Sequence, residues 1–184
     1  KEALAKATVK PLVVDIDETG ARETAEAIGG EYMAADVSRL EDNQEMASAA
    51  VARFGGLDIL HLNAGLMSAF GVDDSFDLER YRAVMGANLD GVVFGMQALA
   101  PRMRSGSAFV VTASLAGLIP MPSDPLYVLT KHAVVGYARS MAEVLEPRGI
   151  RVNLVCPGIV RTPMTEPEQE KLDAAGFPLM EPEQ

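Results

Sequence analysis

The sequence has very little of what several protein classes require. It holds one cysteine, Cys156, in 184 residues. No intrachain disulfide can form, and a reducing, cytoplasmic setting is the expectation. There are two histidines, His61 and His132. Neither falls at ligand spacing with Cys156, so no metal site is expected. Cations are scarce beside acids, 16 against 26, giving a net charge of -10 and a pI near 4.6. That balance argues against nucleic acid and anionic membranes as partners, since both call for cationic surface. No apolar run approaches the ~20 residues of a membrane span. The first ten residues, KEALAKATVK, lack the apolar centre of a signal peptide. Repeats, low-complexity blocks and an interdomain linker are also missing, so residues 1–184 read as a single domain.

What is present is a regular alternation. A hydrophobic share of 48% is ordinary for a globular chain with a sizeable core. Lys1–Ala7 reads as the end of a helix. Strands are expected at Leu12–Asp15, Tyr32–Ala35, Leu57–Leu62, Ala108–Val111 and Arg151–Val155. Helices are expected at Thr19–Ile28, behind a Ser38–Glu41 capping box, over most of Asp77–Arg104 with a break near Gly91, and from Pro125. Gly29-Gly30 and Gly55-Gly56 stop the first two. From Thr165 the tail is polar and proline-rich, with room for one short helix. Strand–helix alternation predicts an α/β, Rossmann-type doubly wound parallel sheet in three α/β/α layers. Ligands bind such sheets beyond the carboxyl ends of the strands. Asp15, Asp36, Asn63, Ser114 and Pro157-Gly158 all fall at such ends.

The most informative stretch is Ser107–Lys131. Its strand ends at Thr112-Ala113-Ser114, and Asp124-Pro125 is an N-cap with proline in the first turn. Tyr127 and Lys131 then stand four apart, on one helix face. A hydroxyl at a strand end facing a phenol and an ammonium makes a plausible proton-transfer site. Tyr-x-x-x-Lys alone is a weak signal, which Ser114 thirteen residues earlier strengthens.

Together with Asp36-Val37, Asn63-Ala64-Gly65, Asn88 and Pro157-Gly158, these residues resemble the short-chain dehydrogenase/reductase family over essentially the whole chain. The resemblance implies an oxidoreductase that transfers hydride between NAD and an alcohol or carbonyl substrate. It implies Tyr127 as acid/base and Lys131 as the charge that stabilises its phenolate and holds the nicotinamide ribose. Ser114 would orient the substrate oxygen, and Asn88 would hold a relay water. Asn88 could equally be a capping or kink residue. Asp15, followed by Ile16, would accept the adenosine ribose hydroxyls and repel a 2′-phosphate. Asp36 and Val37 would contact adenine, although Asp36 could be only a turn residue. Asn63, Ala64 and Gly65 line the cofactor, and Pro157, Gly158, Val160 and Thr162 match the carboxamide-binding segment. By the same resemblance, residues from about 159 to 184 would form the substrate loop. Met67, Met121 and Met164 would make the pocket apolar. His61, His132 and Cys156 read as structural.

Departures from the pattern accompany the resemblance. Leu62 stands where the family has a second asparagine. The first strand, its glycine-rich pyrophosphate turn and the last strand are not found. By the family's strand order the missing first strand lies between the Leu12 and Leu57 strands, which should then not pair directly. Unpaired buried backbone is not tolerated, so the expectation is a longer chain of about 250 residues or another segment in that place. Alternative readings are an epimerase or dehydratase on the same fold, or a non-catalytic binding protein. The resemblance also implies a homodimer or homotetramer through the long helices, with Gly95, Ala98, Val135 and Ala142 allowing close approach.

Overall fold

A computed structural model describes residues 9–68, 76–166 and 179–181. The helix expected over Lys1–Ala7 and most of the tail fall outside those residues. Strand β1, Leu12–Asp15, runs parallel to β2, Glu31–Ala34, with Val13 opposite Tyr32. Between them lies α1, Glu18–Ile28. The side chain of Asp17 caps it by accepting from the Thr19 amide, and Gly29 ends it at φ 70°. That left-handed conformation suits a residue without Cβ. Helix α2, Leu40–Phe54, ends in the same way at Gly55, φ 76°.

The start of α2 differs from expectation. Arg39 is its N-cap residue and makes no side-chain cap. The Ser38 hydroxyl instead donates to Asp36 Oδ1 at 2.7 Å. The helix starts one residue later than the pattern expects, so Ser38 is not at the cap position and no capping box forms.

The second sheet has the order β3 (Leu57–Leu62), β4 (Met103–Thr112), β5 (Arg151–Val155), all parallel. Among the described residues no ladder joins β1 to β3, in keeping with the expectation that they are not neighbours. A two-residue pair, β6 (Ile159–Val160) with β7 (Leu179–Met180), closes the list of described strands.

The helical run between β3 and β4 is α3 (Leu78–Met85), a π-helical turn (Gly86–Asp90), and α4 (Gly91–Leu99). A single 3-10 turn, Ala100–Arg102, leads into β4, so Met103 and Arg104 are strand rather than helix end. Helix α5 is Pro125–Leu145, capped by Asp124 and opened by proline as expected. Phe109 and Val111 of β4 form the main core with Met96 of α4 and Val134 and Ala138 of α5. A second cluster joins Met46 and Ala47 of α2 to Ala98 and Leu99 of α4. Gly95, Ala98 and Val135 thus face their own sheet and core: a Cβ on Gly95 would sit 2.7 Å from Leu62 Cδ2. The stretch Leu78–Arg102 is long and apolar enough to cross a membrane by composition, but more than half of it is buried inside the fold.

Candidate active site

The site forms where β3 and β4 end and α5 begins. Tyr127 lies in the first turn of α5, one turn before Lys131. Lys131 is 4% exposed. Its Nζ donates to the Thr112 carbonyl at 3.1 Å and stands 5.5 Å from the centre of the Tyr127 ring. Thr112 is the last residue of β4, so the strand end itself anchors the lysine. Burial pulls the Lys131 pKa down from 10.5 to about 8, while the nearby Cys156 opposes the fall.

Ser114 lies close enough to Tyr127 to bear on its phenol, and its Oγ accepts from the Ala116 amide at 3.1 Å. The Tyr127 pKa is raised, chiefly by burial. Ser114 lowers it, and the charge of Asp124 raises it further. The phenol is therefore held in its protonated form.

Asn88 is 1% exposed and sits inside the π-helical turn. Its Oδ1 accepts from the Leu66 amide at 2.7 Å, and Nδ2 donates to the Leu66 carbonyl at 2.9 Å and to Thr130 Oγ1 at 3.1 Å. Thr130 in turn donates to the Tyr127 carbonyl at 2.8 Å. A helix irregularity presents Asn88, and its amide ties the loop after β3 to α5. Gly65 closes the cluster. A Cβ there would lie 3.3 Å from Asn88 Oδ1 and 3.5 Å from Lys131 Nζ.

The other expected residues sit around this cluster. The Pro157 carbonyl accepts from the Leu115 amide at 2.8 Å, which brings the Pro157-Gly158 turn beside Ser114. Asp36 acts as a turn residue: Oδ1 accepts from the Ser38 amide, and its own amide donates to Asp42. Val37 packs on Gly91, where a Cβ would meet Val37 Cγ2 at 2.9 Å. The exposed side chain of Asp15 accepts only the Asp17 amide among the described bonds, and Ile16 is 71% exposed. Asn63 and Ala64 are exposed on the loop between β3 and Gly65. Val160 accepts from Thr165 Oγ1, which also receives the Thr162 amide. No described hydrogen bond links Asp15, Val160 or Thr162 to the Tyr127 cluster.

Four participants were not expected from sequence: Thr112, Thr130, Leu66 and Ser68. All four act through main-chain or short hydroxyl contacts that carry no motif, Ser68 through its bonds to Asp124. His61, read as structural, pairs with Thr112 Oγ1 at 2.8 Å, and burial lowers its pKa. His132 bonds only the Val128 carbonyl of its own helix among the described contacts.

Residues 2–176 match the family described as enoyl-(acyl carrier protein) reductase. The chain is 36% identical over 171 residues to 2,5-dichloro-2,5-cyclohexadiene-1,4-diol dehydrogenase of Sphingobium indicum, covering 90% of this chain and 68% of that protein. A short-chain dehydrogenase from Burkholderia cenocepacia J2315 in complex with NADP superposes with a TM-score of 0.80 at 29% identity, over 89% of this chain and 69% of that one. A short-chain dehydrogenase/reductase from Burkholderia phymatum in complex with NAD gives 0.80 at 30%, over 94% and 65%. The doubly wound parallel architecture and the oxidoreductase class follow from these matches, and the chain belongs to the short-chain dehydrogenase/reductase family.

Proposed function

We propose that the protein is an NAD-dependent dehydrogenase of secondary alcohols, ring alcohols foremost, with Ser114, Tyr127 and Lys131 as its proton-transfer group. The observation that carries this reading is the convergence of hydroxyl, phenol and ammonium at the end of β4. The residues fit a bound nicotinamide nucleotide. Lys131 is buried, yet below about pH 8 it keeps a charge that the Thr112 carbonyl satisfies at only one of three hydrogens. Gly65, with no Cβ, leaves open the space facing that ammonium. When bound, the nicotinamide supplies the hydride donor or acceptor.

The chain's own residues do the rest. Ser114 orients the substrate oxygen by hydrogen bonding. Tyr127 gives its phenolic proton to a carbonyl oxygen, or accepts one from an alcohol. Protonated Tyr127 suits the reductive direction as it stands. For oxidation the phenolate must form, and a charged Lys131 favours it. Asn88 holds Leu66 and α5 together around the lysine and is proposed to position a relay water. Asp15, with Asp17 and Glu18 close in sequence and no cation, favours a free ribose hydroxyl over a 2′-phosphate. Asp36, Val37, Asn63, Ala64, Pro157, Gly158, Val160 and Thr162 line the remainder of the cofactor path. The ring-alcohol preference rests on the Sphingobium relative's cyclic diol.

Leu129 and Val144 are exposed on α5, which supports a homodimer or homotetramer through that helix. The single free Cys156 fits a cytoplasmic location. The test is nicotinamide absorbance with the full-length protein, NAD or NADP, and a panel of cyclic and linear secondary alcohols. Turnover with NAD and cyclic alcohols is expected. Turnover of none, or equal kcat/KM with both dinucleotides, overturns the corresponding part.

A further inference from the structure

We infer that Asp124 is a positioning residue that locks the loop after β3 to the helix carrying Tyr127, a role that rests on the dehydrogenase reading above. Asp124 is 1% exposed and Ser68 3%. Asp124 Oδ1 accepts from the Tyr127 amide at 2.9 Å and from the Ser68 hydroxyl, and Oδ2 accepts from the Ser68 amide at 2.8 Å. The two residues are 56 positions apart in sequence. Capping a helix requires one acceptor oxygen, which serine or asparagine supplies without a charge. Burying a carboxylate is costly unless it is hydrogen-bonded. The bidentate hold on Ser68 is what a carboxylate adds over an ordinary cap.

The same loop is gripped at three successive residues. Asn88 takes both backbone groups of Leu66, Arg80 donates to the Met67 carbonyl, and Asp124 takes Ser68. Just before them, Gly65 stands against Lys131 Nζ. A loosened Ser68 therefore disturbs the fit between Gly65 and Lys131, while a loosened Asp124 also shifts the first turn of α5. Asp124 further acts by charge, since it opposes phenolate formation at Tyr127. The other polar and titratable groups around this phenol are Ser114 after β4, Lys131 one turn along α5, and Cys156 after β5, which acts on Lys131. Arg80 on α3 and Asp90 of the π-helical turn belong to elements packed on α5. All of these are unchanged by the variants below.

The test uses the full-length protein with Asp124→Asn, Asp124→Ser and Ser68→Ala. Both Asp124 variants keep a cap acceptor for the Tyr127 amide. Two quantities are read: kcat per folded protein, and the Tyr127 phenol titration by rapid-mixing ultraviolet difference against Tyr127→Phe. The expected result is a roughly 10- to 100-fold loss of kcat in all three, as for a misplaced catalytic group. The phenol should titrate at lower pH in both Asp124 variants and stay put in Ser68→Ala. Wild-type kcat in the folded Asp124 variants overturns the inference, with or without a titration shift. If one Asp124 variant does not fold, the other and Ser68→Ala decide it. If the wild type turns over no alcohol with either dinucleotide, the functional reading fails instead. The titration then decides the charge coupling, and an unshifted phenol in the Asp124 variants overturns it.

Discussion

Replacing Lys131 with methionine should make the folded protein more stable at neutral pH while abolishing its proposed activity. Lys131 is almost fully buried, and its pKa falls from 10.5 to about 8 because burial disfavours the ammonium. That fall corresponds to roughly 3 kcal/mol of destabilisation wherever the lysine stays charged in both states. Methionine removes the charge but leaves the Thr112 carbonyl without its 3.1 Å donor, at a cost of about 1–2 kcal/mol. The net gain is about 1–2 kcal/mol near pH 7, or roughly 2–8 °C in Tm. The pH dependence fixes the cause. Between about pH 8 and 10.5 the unfolded chain holds a proton that the folded lysine has lost, so wild-type stability rises with pH. The variant lacks that rise. Its advantage is therefore full below pH 8, shrinks above it, and is reversed by about pH 10.5. Urea unfolding of both proteins from pH 6 to 10.5, without dinucleotide, measures it. A variant less stable than wild type at pH 7, or an advantage independent of pH, would refute the reasoning.

Three other outcomes follow from the geometry. Asn88→Ala removes three buried hydrogen bonds and should cost roughly 2–4 kcal/mol by denaturant unfolding; a loss under 1 kcal/mol would show that water replaces the amide. Asp15→Ala should narrow the preference for NAD over NADP in kcat/KM, and an unchanged ratio would remove Asp15 from the cofactor site. Gly117→Ala places a Cβ 2.7 Å from the Lys131 carbonyl oxygen, a backbone atom that cannot swing aside. It should cost about 1–3 kcal/mol and lower kcat, and wild-type Tm and kcat would contradict the packing described here.

Much of this fold was legible because its signals are local. Gly29 and Gly55 ended their helices through left-handed φ, and Asp124-Pro125 opened α5 as cap and first-turn proline. The spacing of Tyr127 and Lys131 was enough to place them on one face. The misses have equally specific causes. Ser38 did not cap α2, because the helix begins one residue later and Arg39 holds the N-cap position. Met103–Ser107 extended β4 although its Arg, Ser and Gly residues do not read as a strand. The π-helical turn was sensed only as a break near Gly91, and three of the four residues assigned to a subunit contact, Gly95, Ala98 and Val135, pack inward. The hold of Asp124 on Ser68 joins positions far apart in sequence, and no periodicity announces such a pair. Lysine's anchor, the Thr112 carbonyl, is main chain and carries no residue signature.

The most direct measurement of the central claim is kcat of full-length Tyr127→Phe with NAD and a cyclic secondary alcohol, beside its Tm. Phenylalanine keeps the ring that packs under Lys131 and removes only the transferable proton. The expected result is an unchanged Tm within a few degrees and a kcat about 100- to 10,000-fold lower. Turnover near the wild-type rate in a folded Tyr127→Phe protein would contradict the assignment of Tyr127 as the acid/base.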